Sequence, residues 1–419
     1  MSRIAIIGAG VTGVTTAYAL QDLGHTVTVF DRHRYPAMET SFANGGQLSA
    51  CNAEVWTSWA TMLKGVRWMF RRQAPLLFNP APSWHKYSWL AEFAGNVFNY
   101  RRNTIETTRL AIEARRHLCE IAEREAISFD YATKGILHLY RERSAFESGL
   151  KVNELLRAGG LDRFPVTPEE IRALDPALSG NYFAGLYTPS DTTGDIHKFT
   201  RGLAKACMRR GASFVQDADV ERIKPVGSEF EIEWRSAPLS PDATGAPTTA
   251  NFDQVVICAG VASRRFAAML GDRINIYPVK GYSITVPLTS ATARRAAPQV
   301  SLLDDSAKIA TSRLGENRFR IAGTAEFNGF NRDIRVDRVR PLVDWVRANF
   351  PDVDTSLAEP WAGLRPMTPS MMPFVGPGRR AGVFYNTGHG HLGWTLAGAT
   401  ARTVADLIGP HSLPLAAAA

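Results

Sequence analysis

Residues 3–32 read RIAIIGAGVTGVTTAYALQDLGHTVTVFDR, and this stretch decides the fold. Arg3–Ile7 has the composition of a buried strand, a glycine turn breaks it, a helix follows to about Leu23, and Thr26–Phe30 forms a second strand. That is a β-α-β unit. Gly8, Gly10 and Gly13 stand in its turn in G-x-G-x-x-G spacing: Gly8 for the tight turn, Gly10 for close approach to a pyrophosphate, Gly13 for helix–strand packing. The helix N-terminus offers free N–H groups and a positive dipole end to phosphates, so Ala9, Val11 and Thr12 join the predicted contact. Asp31, 18 residues after Gly13 and followed by Arg32, ends the second strand where a carboxylate accepts hydrogen bonds from an adenosine ribose. A lone glycine motif is often only a structural turn, but one set between two strands and closed by an acid predicts dinucleotide binding. An acid there also disfavours the 2′-phosphate of NADP.

Working outward, 419 residues and 46.0 kDa exceed one ordinary core, which predicts two packed domains. Apolar residues at 45% and charged residues at 21% are those of a globular chain rather than a collagenous or disordered one. The net charge of +8 is a mild bias that suits anionic substrates or an anionic lipid surface, and no nucleic-acid-binding signature accompanies it. Cys51, Cys119, Cys207 and Cys258 are too scattered for a zinc site or a disulfide framework. With no signal peptide or membrane-spanning run, the expected location is the cytoplasm.

After Asp31 the alternation of strand and helix stops. "SFANGGQLS" (41–49) and a long aromatic, basic region intervene before strand-like runs return near "ASFVQDADVERIKP" and "FDQVVICAG", so the nucleotide domain is interrupted. Together with the pair Gly45–Gly46, this interruption resembles the glycine oxidase and D-amino-acid oxidase superfamily of FAD enzymes. "ETSFANGGQLS", "KGVRWMFRRQAPL", "TTGDIHKF", "YPVKGYSITVP", "IAGTAEF", "WAGLRPMTPSMMPFVG" and "NTGHGHLGWTLA" resemble, more narrowly, the D-amino-acid dehydrogenase small-subunit type. The resemblance covers nearly the whole chain. It implies a Rossmann-like α/β FAD-binding domain joined to an α+β substrate domain on a large, mostly antiparallel sheet. It also implies noncovalent FAD and oxidation of a D-amino acid to an imino acid, which water converts to a 2-oxo acid and ammonia, with electrons passing to a quinone or other respiratory acceptor.

On that resemblance Ser41, Asn44, Gly45, Gly46 and Gln47 run past the ribityl chain and isoalloxazine, the bland alternative being a flexible surface turn. Val220 presents backbone N–H and C=O to adenine, unless it is only core strand. Gly260 passes near the pyrophosphate. Gly390, His391, Leu392, Gly393, Trp394 and Thr395 precede and open a helix expected from about Thr395 to Leu407, whose N–H groups stabilise negative charge on the reduced ring. His389 is either structural or part of the site, and no partner stands at metal-ligand spacing beside His391.

A bound α-amino acid needs its carboxylate held, and the planar fork of Arg suits it. Arg365 stands where similar oxidases bind substrate carboxylate. Tyr282 closes over the substrate or packs in the core, Gln47 lies beside substrate in the glycine oxidase type, and Thr324 and Glu326 are further candidates for the cavity. No general base is required when the amine arrives neutral; orientation and electrostatics are the protein's task.

The expected FAD-binding domain comprises residues 1–50, 186–275 and 358–410, the substrate domain residues 51–185 and 276–357, and 411–419 is a disordered tail. Residues 235–253 read as a rim loop. Residues 56–102 hold five tryptophans among Arg and Lys, which suits either peripheral contact with the cytoplasmic face of an inner membrane or ordinary domain packing. Three other functions stay open: an oxidase of glycine or sarcosine type using O2, an FAD subunit of an electron-relay complex, and a noncatalytic nucleotide sensor. Side-chain preference depends on cavity shape, so D-alanine, D-proline and hydroxyproline-like substrates are all compatible.

Overall fold

A computed structural model describes residues 1–69, 75–236 and 246–409. The strand β1 (Arg3–Ile7), helix α1 (Val11–Asp22) and strand β2 (Thr26–Phe30) form as the opening stretch predicts, with β1 and β2 parallel from Arg3↔Thr26 to Ile7↔Phe30. They sit inside a six-stranded sheet in the order Phe374–Pro377, Val383–Thr387, Gln254–Ile257, β1, β2, Ser213–Val215, parallel except at the Phe374–Pro377 edge. Both faces are covered, so β1 is apolar from Ile4 to Ile7 rather than alternating. Ile4 and Ile6 face a core shared with α1 and the helices Ile196–Arg209 and Gly393–Ile408, whereas Ala5 and Ile7 face a three-stranded antiparallel layer, Ala218–Val226, Glu229–Ser236 and Thr248–Phe252.

Gly13 fixes how α1 leaves β1. A Cβ at this position would stand 1.8 Å from the Gly8 carbonyl oxygen, so only glycine lets helix and turn meet this closely. No side chain caps the helix N-terminus, although the Val11 N–H donates to Ser41 Oγ at 3.0 Å.

The second layer is a nine-stranded mixed sheet. Tyr277–Pro287 pairs antiparallel with both Arg318–Phe327 and Glu359–Met367, and the sheet continues through Ile309–Leu314, Ser301–Asp304, Ile136–Tyr140, Ala184–Thr188 and Phe164–Val166. Leu76–Phe78 pairs with Arg318–Phe327. Helix Val336–Asn349 covers one face around Leu342 and Val346. Two strands cross the predicted divisions. Ala184–Thr188 straddles residue 185, and Glu359–Met367 lies past residue 358 yet hydrogen-bonds into this sheet. Its tertiary pairing with Tyr277–Pro287 decides the matter, not its place in the chain.

The tail 411–419 and residues 237–245 of the predicted 235–253 loop lie outside the described residues, as do residues 70–74 of the aromatic, basic segment; the rest of that loop belongs largely to the strands Glu229–Ser236 and Thr248–Phe252.

Candidate active site

One cavity of about 1860 Å³ runs between the two sheets. It is well beyond the roughly 300–1,000 Å³ of a pocket for one drug-sized ligand, and so has room for an extended dinucleotide and a second small molecule. At one end its wall is the glycine turn and its surroundings: Gly8, Gly10, Val11, Thr12, Asp31, Arg32, Val220 and Gly260. Ala9, Gly13 and Thr395 are not part of the wall. Ala9 N–H donates to Asp31 Oδ2 at 2.6 Å, and Thr395 Oγ1 turns to the backbone of the short strand β3 (Gln47–Leu48), accepting from Ser49 N–H at 3.2 Å. Asp31 also accepts from His33 N–H at 2.9 Å, so its carboxylate is aimed by backbone on both sides. Burial is the largest influence on it and raises its pKa. The Val220 carbonyl accepts from Arg265 Nη2 at 2.6 Å, so a side chain already engages half of the predicted backbone pair.

The 41–47 loop lies between the sheets. The nine-stranded sheet holds its backbone: Ser283 Oγ donates to the Ala43 carbonyl at 2.8 Å, Arg320 Nη1 to Asn44 at 3.0 Å, and Ser312 Oγ to Gly45 at 2.6 Å. Gly46 has φ +74°, and a Cβ there would stand 3.2 Å from Ser312 Cβ and Leu314 Cδ2. The small residues of this loop therefore answer to the sheet behind them, while Ser41, Asn44, Gly45, Gly46 and Gln47 still line the cavity in front. The Gln47 amide is committed internally: Nε2 bonds Ser301 Oγ at 2.8 Å and the Leu302 carbonyl at 3.1 Å, and Oε1 accepts from Asn52 at 2.9 Å.

The other end is built on Glu359–Met367 and the turn before helix Gly393–Ile408, a helix that starts two residues earlier than predicted. Gly390 N–H donates to the Pro366 carbonyl at 2.9 Å, tying that turn to the strand carrying Arg365. The Arg365 guanidinium crosses Gly281 on the neighbouring strand, where a Cβ would stand 2.4 Å from Nη2. Among the described residues it has no hydrogen-bond or ion-pair partner, and burial lowers its pKa to about 10. It therefore remains a cation at neutral pH. His391 stacks on Trp56 at 4.6 Å and places Nε2 3.4 Å from the Asn52 carbonyl, while its Nδ1 is buried without a partner. Burial, reinforced by the charge of Arg365, lowers its pKa to about 4, so it is neutral. His389 is structural in its contacts, bonding Thr400 Oγ1 at 3.0 Å.

Tyr282 stands where the ladder slips. Gly281 pairs with Ala325 but Tyr282 with Gly323, leaving Thr324 as the extra residue at φ +49°, a costly conformation for a β-branched side chain. Tyr282 and Thr324 both border the cavity, but the Tyr282 side chain packs in the core against helix Val336–Asn349, the second of its two predicted roles. The Tyr282 hydroxyl donates to Glu326 Oε2 at 2.6 Å, and Glu326 is paired at 3.0 Å with the fully buried Lys280. Glu326 itself is not part of the wall, so of the two further candidates only Thr324 faces the cavity. Among the described residues no cluster of His, Cys, Asp and Glu is arranged to hold a metal.

Sequence reasoning missed a polar group on the same wall: Glu54, Tyr100, His138, Tyr140 and Arg163. Only the polar His138 inside the wholly buried strand ILHLY hinted at it.

A helix N-terminus with glycine at its cap beside a ribose-side acid, opening into a cavity that ends at an arginine without a partner among the described residues, defines a dinucleotide-dependent oxidoreductase. The chain belongs to the DAO family of FAD dependent oxidoreductases, which it matches over residues 3–407. It is 61% identical over 408 residues to D-amino acid dehydrogenase 3 of Mesorhizobium japonicum, covering 97% of each chain. It is 40% identical over 417 residues to D-amino acid dehydrogenase of Paramagnetospirillum magneticum, covering 97% of this chain and 94% of that one. Glycine oxidase from Geobacillus kaustophilus shares the fold, with TM-score 0.72, 22% identity, and coverage of 97% of this chain and 95% of that one. FAD is the cofactor, and the fold is the Rossmann-like domain with a large-sheet partner that the resemblance implies.

Proposed function

We propose that the chain dehydrogenates D-amino acids, with Arg365 as the carboxylate anchor. The observation that carries this reading is a half-buried guanidinium with no partner among the described residues, facing a cavity whose far end suits a dinucleotide. An arginine fork offers a carboxylate two parallel hydrogen bonds, and in a buried site the pair fixes orientation as well as charge. When bound, FAD supplies the hydride acceptor for the Cα hydrogen. The Tyr282 hydroxyl is spent on Glu326 inside the core behind the sheet, so no substrate contact is assigned to it. His391, held neutral, adds no charge to compete with Arg365 for the carboxylate. The walls exclude water while the Cα hydrogen and an N–H proton leave, and the resulting imino acid hydrolyses to 2-oxo acid and ammonia.

At the dinucleotide end Gly8, Gly10, Val11 and Thr12 take the pyrophosphate, Asp31 the ribose, and the 41–47 and 390–394 stretches the flavin. The names of the curated relatives support the D-amino acid assignment. Electrons then pass to a quinone-type acceptor. Trp59, Leu63, Trp84 and Phe98 are 63%, 65%, 84% and 88% exposed, and a chain of charge +8 carries them, which supports peripheral docking on the cytoplasmic face of an anionic membrane. No helix among the described residues is long and apolar enough to cross one.

Anaerobic mixing with a panel of D-amino acids and cyclic imino acids tests the reading. Rapid loss of the yellow flavin absorbance is the expected result, with dye reduction far exceeding peroxide formation in air. A panel that leaves the flavin oxidised ends the assignment.

A further inference from the structure

On strand Glu359–Met367 the alternate residues Trp361, Gly363 and Arg365 all lie on the cavity wall. The register pairs Arg365 with Val279 and Gly363 with Gly281, so the guanidinium does not rest on the residue opposite its own backbone but leans across to Gly281. A Cβ added to Gly281 would stand 2.4 Å from Nη2, 2.5 Å from Cζ and 2.8 Å from Nε of Arg365. An approach along that edge of the fork would leave Cζ the most distant of the three. With Cζ between the two nitrogens, it is the flat face of the guanidinium that covers Gly281. The N–H donors lie in the guanidinium plane, so this seat turns none of them toward the Gly281 backbone. The strand has no use of its own for a glycine here. Gly281 does not have a positive φ, and the bulge that follows it takes its extra residue, Thr324, from the other strand. The three heavy atoms nearest the missing Cβ all belong to Arg365, the movable end of a long side chain rather than fixed backbone.

We propose that Gly281 is a positioning residue for the substrate: its missing side chain gives the Arg365 fork a fixed seat, and with it a fixed plane for the amino-acid carboxylate. This rests on the reading of Arg365 as the carboxylate anchor. In a bidentate pair the two N–H donors and the two carboxylate oxygens form parallel bonds, so the plane of the guanidinium sets the plane of its ligand. An arginine with no ion-pair partner otherwise samples many rotamers, and binding then has to offset the entropy of ordering it. A strand-interior glycine loses packing and backbone entropy, a cost that the seat explains. A methyl at position 281 needs carbon contacts of about 3.5–4.0 Å, so it lifts the fork off the sheet by about 1 Å and into the space the substrate occupies.

Anaerobic stopped-flow reduction of the FAD-loaded protein by the fastest D-amino acid of the panel separates the substrate's Kd from the limiting rate of flavin bleaching. Gly281→Ala should raise Kd about tenfold or more, with a smaller change in the limiting rate, since misplacing a positioning group by about 1 Å has effects of this order or larger. In the Arg365→Met background the same methyl meets no guanidinium and should change Kd by less than about twofold, a coupling that a purely structural glycine would not show. A parental Kd in Gly281→Ala, or an equal rise in both backgrounds, overturns the proposal. Should Gly281→Ala not fold, the double variant decides: it folds if the methyl clashes with Arg365 alone, and its failure to fold shows that Gly281 serves the strand rather than the arginine. A parental Kd in Arg365→Met, or a flavin that no amino acid bleaches, removes the anchor reading and this proposal with it. Weakened binding in Arg365→Met beside a parental Gly281→Ala removes the seat alone.

Discussion

Arg365 stands half-buried on the cavity wall with no partner among the described residues, and in the proposed function a substrate carboxylate pairs with it. Truncating one member of such a buried charge pair costs about 2–5 kcal/mol. Arg365→Met should therefore raise KM by roughly 30-fold or more with a smaller change in kcat, read by steady-state dye reduction; an unchanged KM removes the anchor role. His389 gives a pH prediction. Burial lowers its pKa from 6.5 to about 3, so between those values the unfolded chain binds a proton that the folded one refuses. Stability then falls as pH drops through that window, by up to about 1.4 kcal/mol per unit. Thermal melts of His389→Gln between pH 6.5 and pH 4 should show a shallower slope than the parent; an identical slope contradicts this origin. At this scale Arg365 was legible, because an arginine in an apolar run beside a proline has a strong motif around it. Arg163 was not, since nothing local distinguishes it from a surface arginine.

The β1–α1–β2 element was legible because Gly13 serves a contact only five residues away, with the Gly8 carbonyl, although Gly8 also makes room for the distant backbone of Cys258 and Ala259. Gly13→Ala places a methyl against the Gly8 carbonyl, a clash beyond the about 1–3 kcal/mol of ordinary overpacking. The expected outcome is a protein that loses FAD, with a flavin-to-protein absorbance ratio at least tenfold lower; a stoichiometric yellow variant refutes it. The 41–47 loop was only half legible. Its small residues announced a close approach, but the neighbours that approach are Ser283, Ser312 and Arg320, from strands more than two hundred residues away. The Thr324 bulge was invisible for the same reason: a register slip belongs to two strands, not to one.

For the whole molecule, the proposed membrane contact rests on the exposed aromatics Trp59, Trp84 and Phe98 together with the net charge rather than on any one of them. Vesicles containing anionic lipid should retain the protein at low salt and release it at high salt, since screening shortens the reach of the basic surface. Trp59→Glu with Leu63→Glu should weaken retention about tenfold, a loss of about 1.4 kcal/mol, while dye reduction in solution stays unchanged. Retention that ignores both salt and substitution rules out this contact.

By itself the sequence determined the βαβ turn and the choice of an adenosine-linked cofactor, and it singled out the arginine proposed to meet the substrate, because each rests on short-range spacing or on a residue whose chemistry has few alternatives. Tertiary structure alone decided that the strand carrying Arg365 joins the large sheet, that Gln47 spends its amide internally, that Tyr282 packs its ring in the core and its hydroxyl on Glu326, and that the Arg163 Nε is buried without a partner among the described residues. These are properties of partners brought together from distant parts of the chain. A side chain's solvation and hydrogen-bond roles exist only once those partners are in place.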